Sequence, residues 1–340
     1  MTRRPRYAGR NPRAFHEKYK ELQPDRYQAD VTKVLQAGKT PAGMHRPIMV
    51  AAVLRVLAPA PGEVVVDTTL GYGGHARALL SSVTPGGRLI GLDQDPLELP
   101  RTEARLRDYG YTEDVFTAHR TNFAGLSQVL AREGVAAADV VLADLGASSM
   151  QIDNPDRGFT FKDAAPLDMR MNPSRGDTAA TLIATAAASS LAEWLETNAD
   201  EPDAAVIAAR IAGQTFATTR DLAAAVRAAV TAAFPRRGAE DLDRAVRRVF
   251  QAVRIAVNDE FGALDSLLRQ LPACLAPGGR VAILTFHSGE DRRVKKAFLA
   301  GQRDGVYAAV ANDVERASPD EVRGNPRAAS AKLRWARRAG

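Results

Sequence analysis

Three aspartates that could bind a ligand together each end a short run of aliphatic residues. The runs finish at Asp67, Asp93 and Asp144, and each predicts a buried strand of a parallel sheet. The carboxyl ends of parallel strands lie at one edge of the sheet, where open α/β folds bind their ligands. One such acid is often only the cap of the following helix, but three in succession favour a binding site at this edge.

A glycine-rich turn follows the first of these acids. The segment G-Y-G-G at 71–74 separates Asp67 from a predicted helix that begins at His75. Glycines let the backbone approach a ligand closely, and the first turn of a helix offers unpaired N–H groups. Asp93 lies 20 positions after Gly73, a spacing typical of one βαβ unit whose acid accepts the ribose hydroxyls of an adenosine ligand. The alternative is an ordinary strand-to-helix turn that contains three glycines.

Two adenosine cofactors fit this arrangement. The pattern G-x-G-x-x-A at 71–76, with Asp93 after it, matches the fingerprint of dinucleotide-binding folds. However, Asp67 would place a carboxylate beside the pyrophosphate, and two like charges destabilise each other away from water. A ligand with an ammonium and a sulfonium group would instead be attracted to this acid. The residues therefore favour S-adenosylmethionine, with a nicotinamide dinucleotide as the alternative.

The composition is typical of a globular protein without a metal centre or a membrane span. The chain has 340 residues, of which 45% are hydrophobic and 25% are charged. Its single cysteine, Cys274, allows no disulfide framework and is consistent with a cytoplasmic location. The five histidines show no metal-binding spacing, and no apolar run is long enough to cross a membrane.

The basic residues are concentrated at the two ends of the chain. Of the net charge of +6, residues 1–46 contribute eleven Lys/Arg against four Asp/Glu, and residues 316–340 contribute seven against two. The residues between them are therefore net acidic. Basic ends on an acidic body suit the binding of a polyanion such as RNA. Solvated tails that only aid solubility explain the same distribution equally well.

Strand and helix patterns alternate up to Asp144 and resume with a strand at 280–286. Between them, residues 150–175 show neither period, and residues 178–250 are alanine-rich with the spacing of several helices. A separate helical stretch is predicted at 250–271. This order predicts an α/β sheet domain that is interrupted by a helical insertion.

Distinctive motifs extend from His45 to the C-terminus. They include D-T-T-L-G-Y-G-G-H at 67–75, L-A-D-L-G-A-S-S-M-Q-I-D at 142–153, F-H-S-G-E-D-R at 286–292 and N-P-R-A-A-S-A-K-L-R at 325–334. Together they resemble the bacterial 16S rRNA (cytosine-N4) methyltransferase family. The resemblance implies an α/β fold with the Rossmann-like sheet of class I S-adenosylmethionine-dependent methyltransferases and an inserted all-helical domain. It also implies 16S rRNA or the small ribosomal subunit as partner, with no membrane association and with a homodimer as a candidate assembly.

The resemblance also implies a division of the chain into domains. Residues 45–150 and 250–340 would form the methyltransferase domain. Residues 151–249 would form a loop and a helical insertion that recognises the substrate. Residues 1–44 would be a basic N-terminal extension, with two short helices, outside the usual family pattern.

Candidate site residues follow from the resemblance. The family's cofactor positions fall on Gly73, Gly74, His75, Asp93, Phe123, Asp144 and Gln151. The analysis of the turn adds Asp67 and Gly71 to the cofactor site. Candidate RNA contacts are Asp168, Arg170, Arg254, His287, Ser288, Glu290, Asp291 and Asn325. The alternative is an internal salt-bridge network for Asp168, Arg170, His287, Glu290 and Asp291.

The expected reaction gives a role to the loop that follows the fourth strand. The lone pair of the cytosine N4 amine is delocalised into the ring, so the amine is a weak nucleophile. An acceptor for its N–H, such as Asp144, Ser148 or Ser149, would direct the lone pair at the methyl group and receive the proton. The target base would have to leave its stack to reach this loop.

The chain departs from the family pattern on the side of the substrate. Tyr72 stands in the glycine turn, Met150 replaces a common proline and Gly289 replaces a leucine. One alternative is therefore a paralogue that methylates a cytosine at another RNA or DNA site. Another is a non-catalytic ribosome-assembly factor that binds S-adenosylmethionine.

Overall fold

The computed structural model describes residues 47–340. The predicted basic arm at 1–44, with its two short helices, lies outside the described residues, as does His45. Within the described part of the chain, no helix combines the length and the apolarity needed to cross a membrane.

A single sheet of eight strands forms the centre of the structure. Five strands run parallel in the spatial order β3-β2-β1-β4-β5, and the edge beyond β5 is completed by antiparallel strands in the order β8-β6, with β7 also paired to β8. The strands are β1 (Val64–Asp67), β2 (Arg88–Asp93), β3 (Phe116–Arg120), β4 (Ala138–Asp144), β5 (Leu275–Thr285), β6 (Tyr307–Val310), β7 (Glu315–Arg316) and β8 (Lys332–Arg338). The expected α/β fold class is confirmed, whereas β6 and β7 are strands that the sequence analysis did not predict.

The register of the sheet places the three strand-end acids at two levels. Asp67 pairs with Gly91 of β2 and with Leu142 of β4. Asp93 and Asp144 each lie two residues further along their strands, which is roughly 6.5 Å nearer the carboxyl edge. Asp67 is therefore one pleat deeper in the sheet than the other two acids.

Helices cover both faces of the sheet and form the insertion. In chain order they are α1 (Val50–Leu57), α2 (Gly74–Val83), α3 (Leu99–Asp108), α4 (Leu126–Arg132), α5 (Ser149–Asp153), α6 (Ala179–Thr185), α7 (Ala188–Ala199), α8 (Ala204–Ile211), α9 (Thr219–Ala233), α10 (Ala239–Asn258), α11 (Glu260–Cys274), α12 (Ser288–Arg303) and α13 (Pro319–Gly324). Apolar residues of α1, α2 and α3 pack on one face of the sheet, and those of α4, α11 and α12 pack on the other. The sheet is therefore buried on both faces, as parallel strands require.

The insertion has a hydrophobic core of its own. Ile183, Leu195, Ile207, Val226 and Val249 are fully buried among the side chains of α6 to α10. The alanines between them let these helices pack closely, so helix packing explains why this segment of the sequence is rich in alanine.

One expected boundary within this region is wrong. The sequence predicts a break between helices near residue 250, but α10 runs unbroken from Ala239 to Asn258. The chain turns instead at Asp259, whose φ of +47° ends α10 and begins α11. The domain boundary expected between residues 249 and 250 thus falls inside one helix, which joins the insertion to the sheet domain.

Candidate active site

A cavity of about 340 Å³ opens at the carboxyl edge of the parallel strands. This volume is within the range of small-molecule sites. Its wall is formed by the glycine turn, the ends of β2 and β4, the loop that leads into α5, and the segments around Phe123, Phe286 and Asn325. The edge of the sheet that the sequence indicated therefore does hold a cavity. Among the described residues, no cluster of acids, histidines and cysteines could hold a metal ion.

Hydrogen bonds fix the glycine turn against β2 and α3. Gly71 N donates to Asp93 Oδ2 at 2.8 Å, and Thr102 Oγ1 donates to Gly71 O at 2.6 Å. Gly73 has a φ of +80°, and a Cβ at this position would lie 2.9 Å from Thr102 Cγ2. The turn therefore requires glycine at position 73 for both its backbone conformation and its close approach to α3.

Asp67 and Asp93 are held in different ways. Asp93 lines the cavity, and its Oδ1 accepts a hydrogen bond from Asp95 N at 2.9 Å. Asp67 is 1% exposed, does not line the cavity, and accepts a hydrogen bond from Thr69 N at 3.1 Å. Burial raises the pKa of each carboxyl to about 6, and backbone hydrogen bonds oppose the rise at both. Asp67 thus acts on the site through its charge and not from the cavity wall.

Asp144 ends β4 and has one carboxylate oxygen without a partner among the described residues. Its backbone N donates to Thr69 Oγ1 at 2.6 Å, which anchors the end of the strand. Oδ2 lies 3.6 Å from Nδ1 of His75, and Oδ1 is the buried atom that accepts no hydrogen bond within residues 47–340. Burial, followed by the nearby charge of Glu290, raises the pKa of Asp144 to about 7. The remaining exposed part of the side chain faces the cavity, so a bound ligand would complete its burial.

His75 is the buried neighbour of this acid. Its side chain is 7% exposed, and Nε2 lies 2.9 Å from the backbone oxygen of Ile48. Burial lowers the pKa of the imidazole, while the charge of Asp67 acts in the opposite direction. The ring therefore has Asp144 beside it and is also acted on by the charge of Asp67.

The loop after Asp144 is closed by a capping box. Ser148 Oγ accepts a hydrogen bond from Gln151 N at 3.2 Å, and Gln151 Oε1 accepts one from Ser148 N at 2.9 Å. Gln151 Nε2 donates to Asp95 Oδ2 at 2.8 Å. Both polar atoms of the Gln151 side chain are thus bonded within the protein, and the hydroxyl of Ser148 already serves as a helix cap. Ser149 lies beside them in the cavity wall.

A buried ion pair joins this loop to the opposite wall of the cavity. Arg157 Nη1 donates to Asp95 Oδ2 at 2.7 Å, and Arg157 Nη2 donates to the backbone oxygens of Arg170 and Met171 at 3.0 and 2.8 Å. Both side chains are less than a tenth exposed. Asp95 lies two residues after Asp93, so one arginine connects the acid of β2 to the segment that carries Met171 into the cavity wall.

The sequence analysis did not single out Arg157 as a site residue. Its motif, R-G-F-T-F, shows only that an arginine precedes a glycine in a loop. One feature of the sequence could have indicated its role. Arg157 lies in a segment rich in Phe, Met and Leu, and an arginine that is buried in such a segment requires an acidic partner.

The candidate RNA contacts fall into two groups. Arg254 and Asn325 line the cavity. The other six make contacts within the protein: Asp168 with Arg170, His287 with Glu290, Asp291 with Lys332 and Arg334, and Ser288 with Asp200. All of these six except Ser288 belong to the internal network that the sequence left as an alternative, and contact of the six residues with RNA stays a prediction.

Comparison with known proteins identifies relatives over the whole chain. Residues 42–339 match the MraW methylase family. The small-subunit ribosomal RNA methyltransferase H 2 of Alkaliphilus metalliredigens is 48% identical, with 98% of this chain and 97% of that protein covered. The corresponding methyltransferase H 1 of Lachnoclostridium phytofermentans is 45% identical over 98% of this chain and 92% of its own length. Among solved structures, an rRNA methylase from Streptococcus thermophilus is similar with a TM-score of 0.41 and 11% identity, covering 87% of this chain and 99% of its own.

The comparisons also show how residues 1–44 relate to known proteins. Alignments that cover 98% of this chain must include most of the N-terminal extension. The methyltransferase H of Acidothermus cellulolyticus, at 42% identity, covers only 87% of this chain. The extension is therefore shared with some relatives, although it lies almost entirely outside the region that matches the family.

Replacement of Arg157 by alanine should strongly destabilise the protein. The substitution leaves Asp95 buried without its cation, which typically costs about 3–5 kcal/mol of the free energy of unfolding. Urea unfolding of the two proteins would measure the difference. A matched control is Arg244→Ala, because Arg244 pairs with Glu240 and the two side chains are 49% and 85% exposed, and its loss should cost less than about 1 kcal/mol. Equal losses for the two variants would contradict a structural role for the buried pair.

Proposed function

The chain belongs to the MraW methylase family, and we propose that it transfers a methyl group from S-adenosylmethionine to the exocyclic N4 amine of a cytidine in 16S rRNA. The cofactor follows from the family. The relatives are named as methyltransferases of small-subunit ribosomal RNA, which supports the RNA substrate. The observation that carries the choice of an amine is the carboxylate of Asp144, which lines the cavity with about a quarter of its side chain exposed, because an amine nucleophile has a proton to lose.

The residues present fit a cationic adenosine cofactor. Asp93 lies at the end of β2 and is oriented by two backbone N–H groups, as expected for an acid that accepts ribose hydroxyls. The backbone of the glycine turn lies in the cavity wall. Gly74 is required there, because a Cβ at this position would lie 2.3 Å from Pro47 Cγ. Three carboxyls with pKa values raised by burial surround the turn. A positive ligand would relieve the cost of their ionisation.

The residues around Asp144 suit a direct displacement at an amine. S-adenosylmethionine supplies an electrophilic methyl group when it is bound. The carboxylate of Asp144 would accept an N–H of the cytosine amine, align its lone pair and take up the proton that is released. Ser148 would act mainly by holding the loop, since its hydroxyl caps α5. Ser149 remains available in the wall as a second acceptor.

The cavity also offers walls for an unstacked base. Phe123 and Phe286 contribute aromatic surface, and Arg254 and Asn325 contribute polar groups. The guanidinium of Arg254 is held by Glu260 through bonds of 2.8 and 2.9 Å, so its position is fixed before a substrate arrives. Fixed groups of this kind are suited to positioning a base for transfer.

One observation favours a paralogue as the second candidate function. Four relatives whose alignments include most of the N-terminal extension carry the number 1 or 2 in their names. The Acidothermus relative, whose alignment leaves out about an eighth of this chain, carries none. A basic extension that is shared by only some members would suit a different RNA context. This alternative predicts the same product nucleoside at another cytidine.

The proposed function is tested by transfer of labelled methyl from S-adenosylmethionine to small ribosomal subunits and to naked 16S rRNA. We expect N4-methylcytidine on nucleoside analysis, at one mapped position. Label at a cytidine of another RNA would favour the paralogue. Label in a different nucleoside, or no label with any RNA, would contradict the proposal.

Substitution of Asp144 should abolish transfer without abolishing cofactor binding. Asp144→Asn keeps the size of the side chain but removes the proton acceptor, so single-turnover rates should fall roughly 10²–10⁴-fold. The matched control is Asp265→Asn, because Asp265 is half exposed and pairs with Arg293 away from the cavity. If Asp144→Asn transfers methyl at the rate of the control, the assignment of the acceptor is wrong.

The affinity for S-adenosylmethionine should rise with pH. Asp67, Asp93 and Asp144 have pKa values raised to about 6, 6 and 7, so they take up protons as the pH falls from about 8 to about 5.5. A sulfonium favours the ionised carboxyls, whereas S-adenosylhomocysteine lacks this charge. We expect calorimetry to show a loss of affinity over this range that is roughly tenfold larger for S-adenosylmethionine than for S-adenosylhomocysteine. The same pH dependence for both ligands would contradict the electrostatic role of the three acids.

A further inference from the structure

The hydrogen bond of His75 to the backbone determines which ring nitrogen carries the proton. A carbonyl oxygen can only accept, so Nε2, at 2.9 Å from Ile48 O, must donate. In the neutral imidazole, Nδ1 is then the nitrogen with the free lone pair. This lone pair faces Asp144, because Nδ1 is the atom 3.6 Å from Oδ2.

A proton between the two groups stabilises such an arrangement. A lone pair and an ionised carboxylate repel each other, and burial of His75 prevents water from separating them. The separation of 3.6 Å is longer than a hydrogen bond, but pairs of catalytic groups often tighten when a ligand fills the site.

The surrounding charges favour retention of that proton. The acids that act on the two groups come from four elements: Asp67 from β1 and Glu321 from α13 act on His75, Glu290 from α12 acts on Asp144, and Asp93 from β2 acts on Asp67. The two arginines of the cavity wall, Arg254 and Arg327, are already paired with Glu260 and Asp153. Negative charge therefore dominates around the pair within the described part of the chain.

We propose that His75 is the proton-accepting partner of Asp144, and that the two groups act as one base. This inference rests on the proposed function. As the N–CH₃ bond forms and the S–CH₃ bond breaks, with its electron pair left on sulfur, Oδ2 of Asp144 passes the proton it holds to Nδ1 of His75 and takes the proton of the N4 amine in its place. Oδ2 is the oxygen that a substrate can reach, because Oδ1 is buried. The resulting imidazolium is stabilised by the neighbouring carboxylate of Asp67.

The geometry distinguishes this role from simple contact with the cofactor. Both ring nitrogens of His75 are directed at protein atoms, Nε2 at Ile48 and Nδ1 at Asp144. A cofactor could therefore touch the edge of the ring but would receive no hydrogen bond from it without breaking one of these contacts. His75 is accordingly a positioning and proton-holding residue that acts through Asp144.

The inference has a specific consequence for the pH dependence of transfer. Asp144 and His75 together can accept the proton of the amine while they share one proton. They lose this ability only when they bind a second proton at low pH. Without His75, Asp144 must be ionised by itself, and its pKa, which burial and the charge of Glu290 raise, would then limit the rate. Loss of the histidine should therefore move the acidic limb of the rate profile to higher pH.

The test uses the full-length protein with saturating cofactor and the RNA that it methylates. His75→Gln retains an N–H that can reach Ile48 but has no basic nitrogen toward Asp144. We expect the ratio of single-turnover rates at about pH 6 and about pH 8.5 to fall roughly tenfold relative to the wild type. His119→Gln is the matched control, because His119 pairs with Glu133 away from the cavity, and it should keep the wild-type ratio. A His75→Gln profile that is parallel to the wild type would overturn the proposal.

A second measurement does not depend on turnover. Nitrogen-15 NMR of the ligand-free protein would follow Nδ1 and Nε2 of His75 as the pH is changed. We expect Nδ1 to report a titration step shared with Asp144, and this step should disappear in Asp144→Asn, with protonation of the ring moving to lower pH. A His75 titration that is unchanged in Asp144→Asn would also overturn the proposal. Failure of the wild type to methylate any RNA would instead refute the proposed function and leave this titration to be judged separately.

Discussion

The structure depends on the burial of three carboxyls at one edge of the sheet. Burial raises the pKa of Asp67 and Asp93 to about 6 and that of Asp144 to about 7, because the charged form is less stable away from water. At neutral pH their ionisation therefore costs free energy in the ligand-free protein. A cationic ligand recovers part of this cost, whereas an anionic ligand would increase it. The edge is thus selective for positive charge before any specific contact is considered.

The arginines around the cavity do not neutralise these acids. Each is paired with a carboxylate outside the main cavity wall: Arg254 with Glu260, Arg327 with Asp153 and Arg157 with Asp95. Their cations stabilise loops, and the negative charge at the strand ends remains for a ligand. The pair of Arg157 and Asp95 also joins two parts of the site, because Arg157 bonds both to Asp95, two residues after β2, and to the backbone at Arg170 and Met171.

The sequence predicted the parts of this site that depend on local pattern. Strand ends, the glycine turn and the helical insertion follow from aliphatic runs, glycine spacing and alanine content. The depth of Asp67 does not, because it depends on the register of β1 against β2 and β4, to which residues far apart in the chain contribute. The role of Arg157 was missed for the same reason, since its partner Asp95 is 62 positions away. The break expected near residue 250 failed because α10 is amphipathic along its full length and packs on both the insertion and the sheet domain.

Asp144 and Asp67 lie at different depths in the sheet and have different electrostatic roles. Methyl transfer to an amine removes the positive charge of the sulfonium and releases a proton. A site that stabilises the sulfonium must therefore also accept this proton. Asp144 lines the cavity and can meet the amine, whereas Asp67 is one pleat deeper in the sheet and acts on His75 through its charge. A proton that reaches His75 from Asp144 is therefore stabilised by the negative charge of a second acid. The two-residue offset in register keeps this deeper acid away from the cavity wall, so the negative charge that favours a cationic cofactor also favours retention of the proton that its reaction releases.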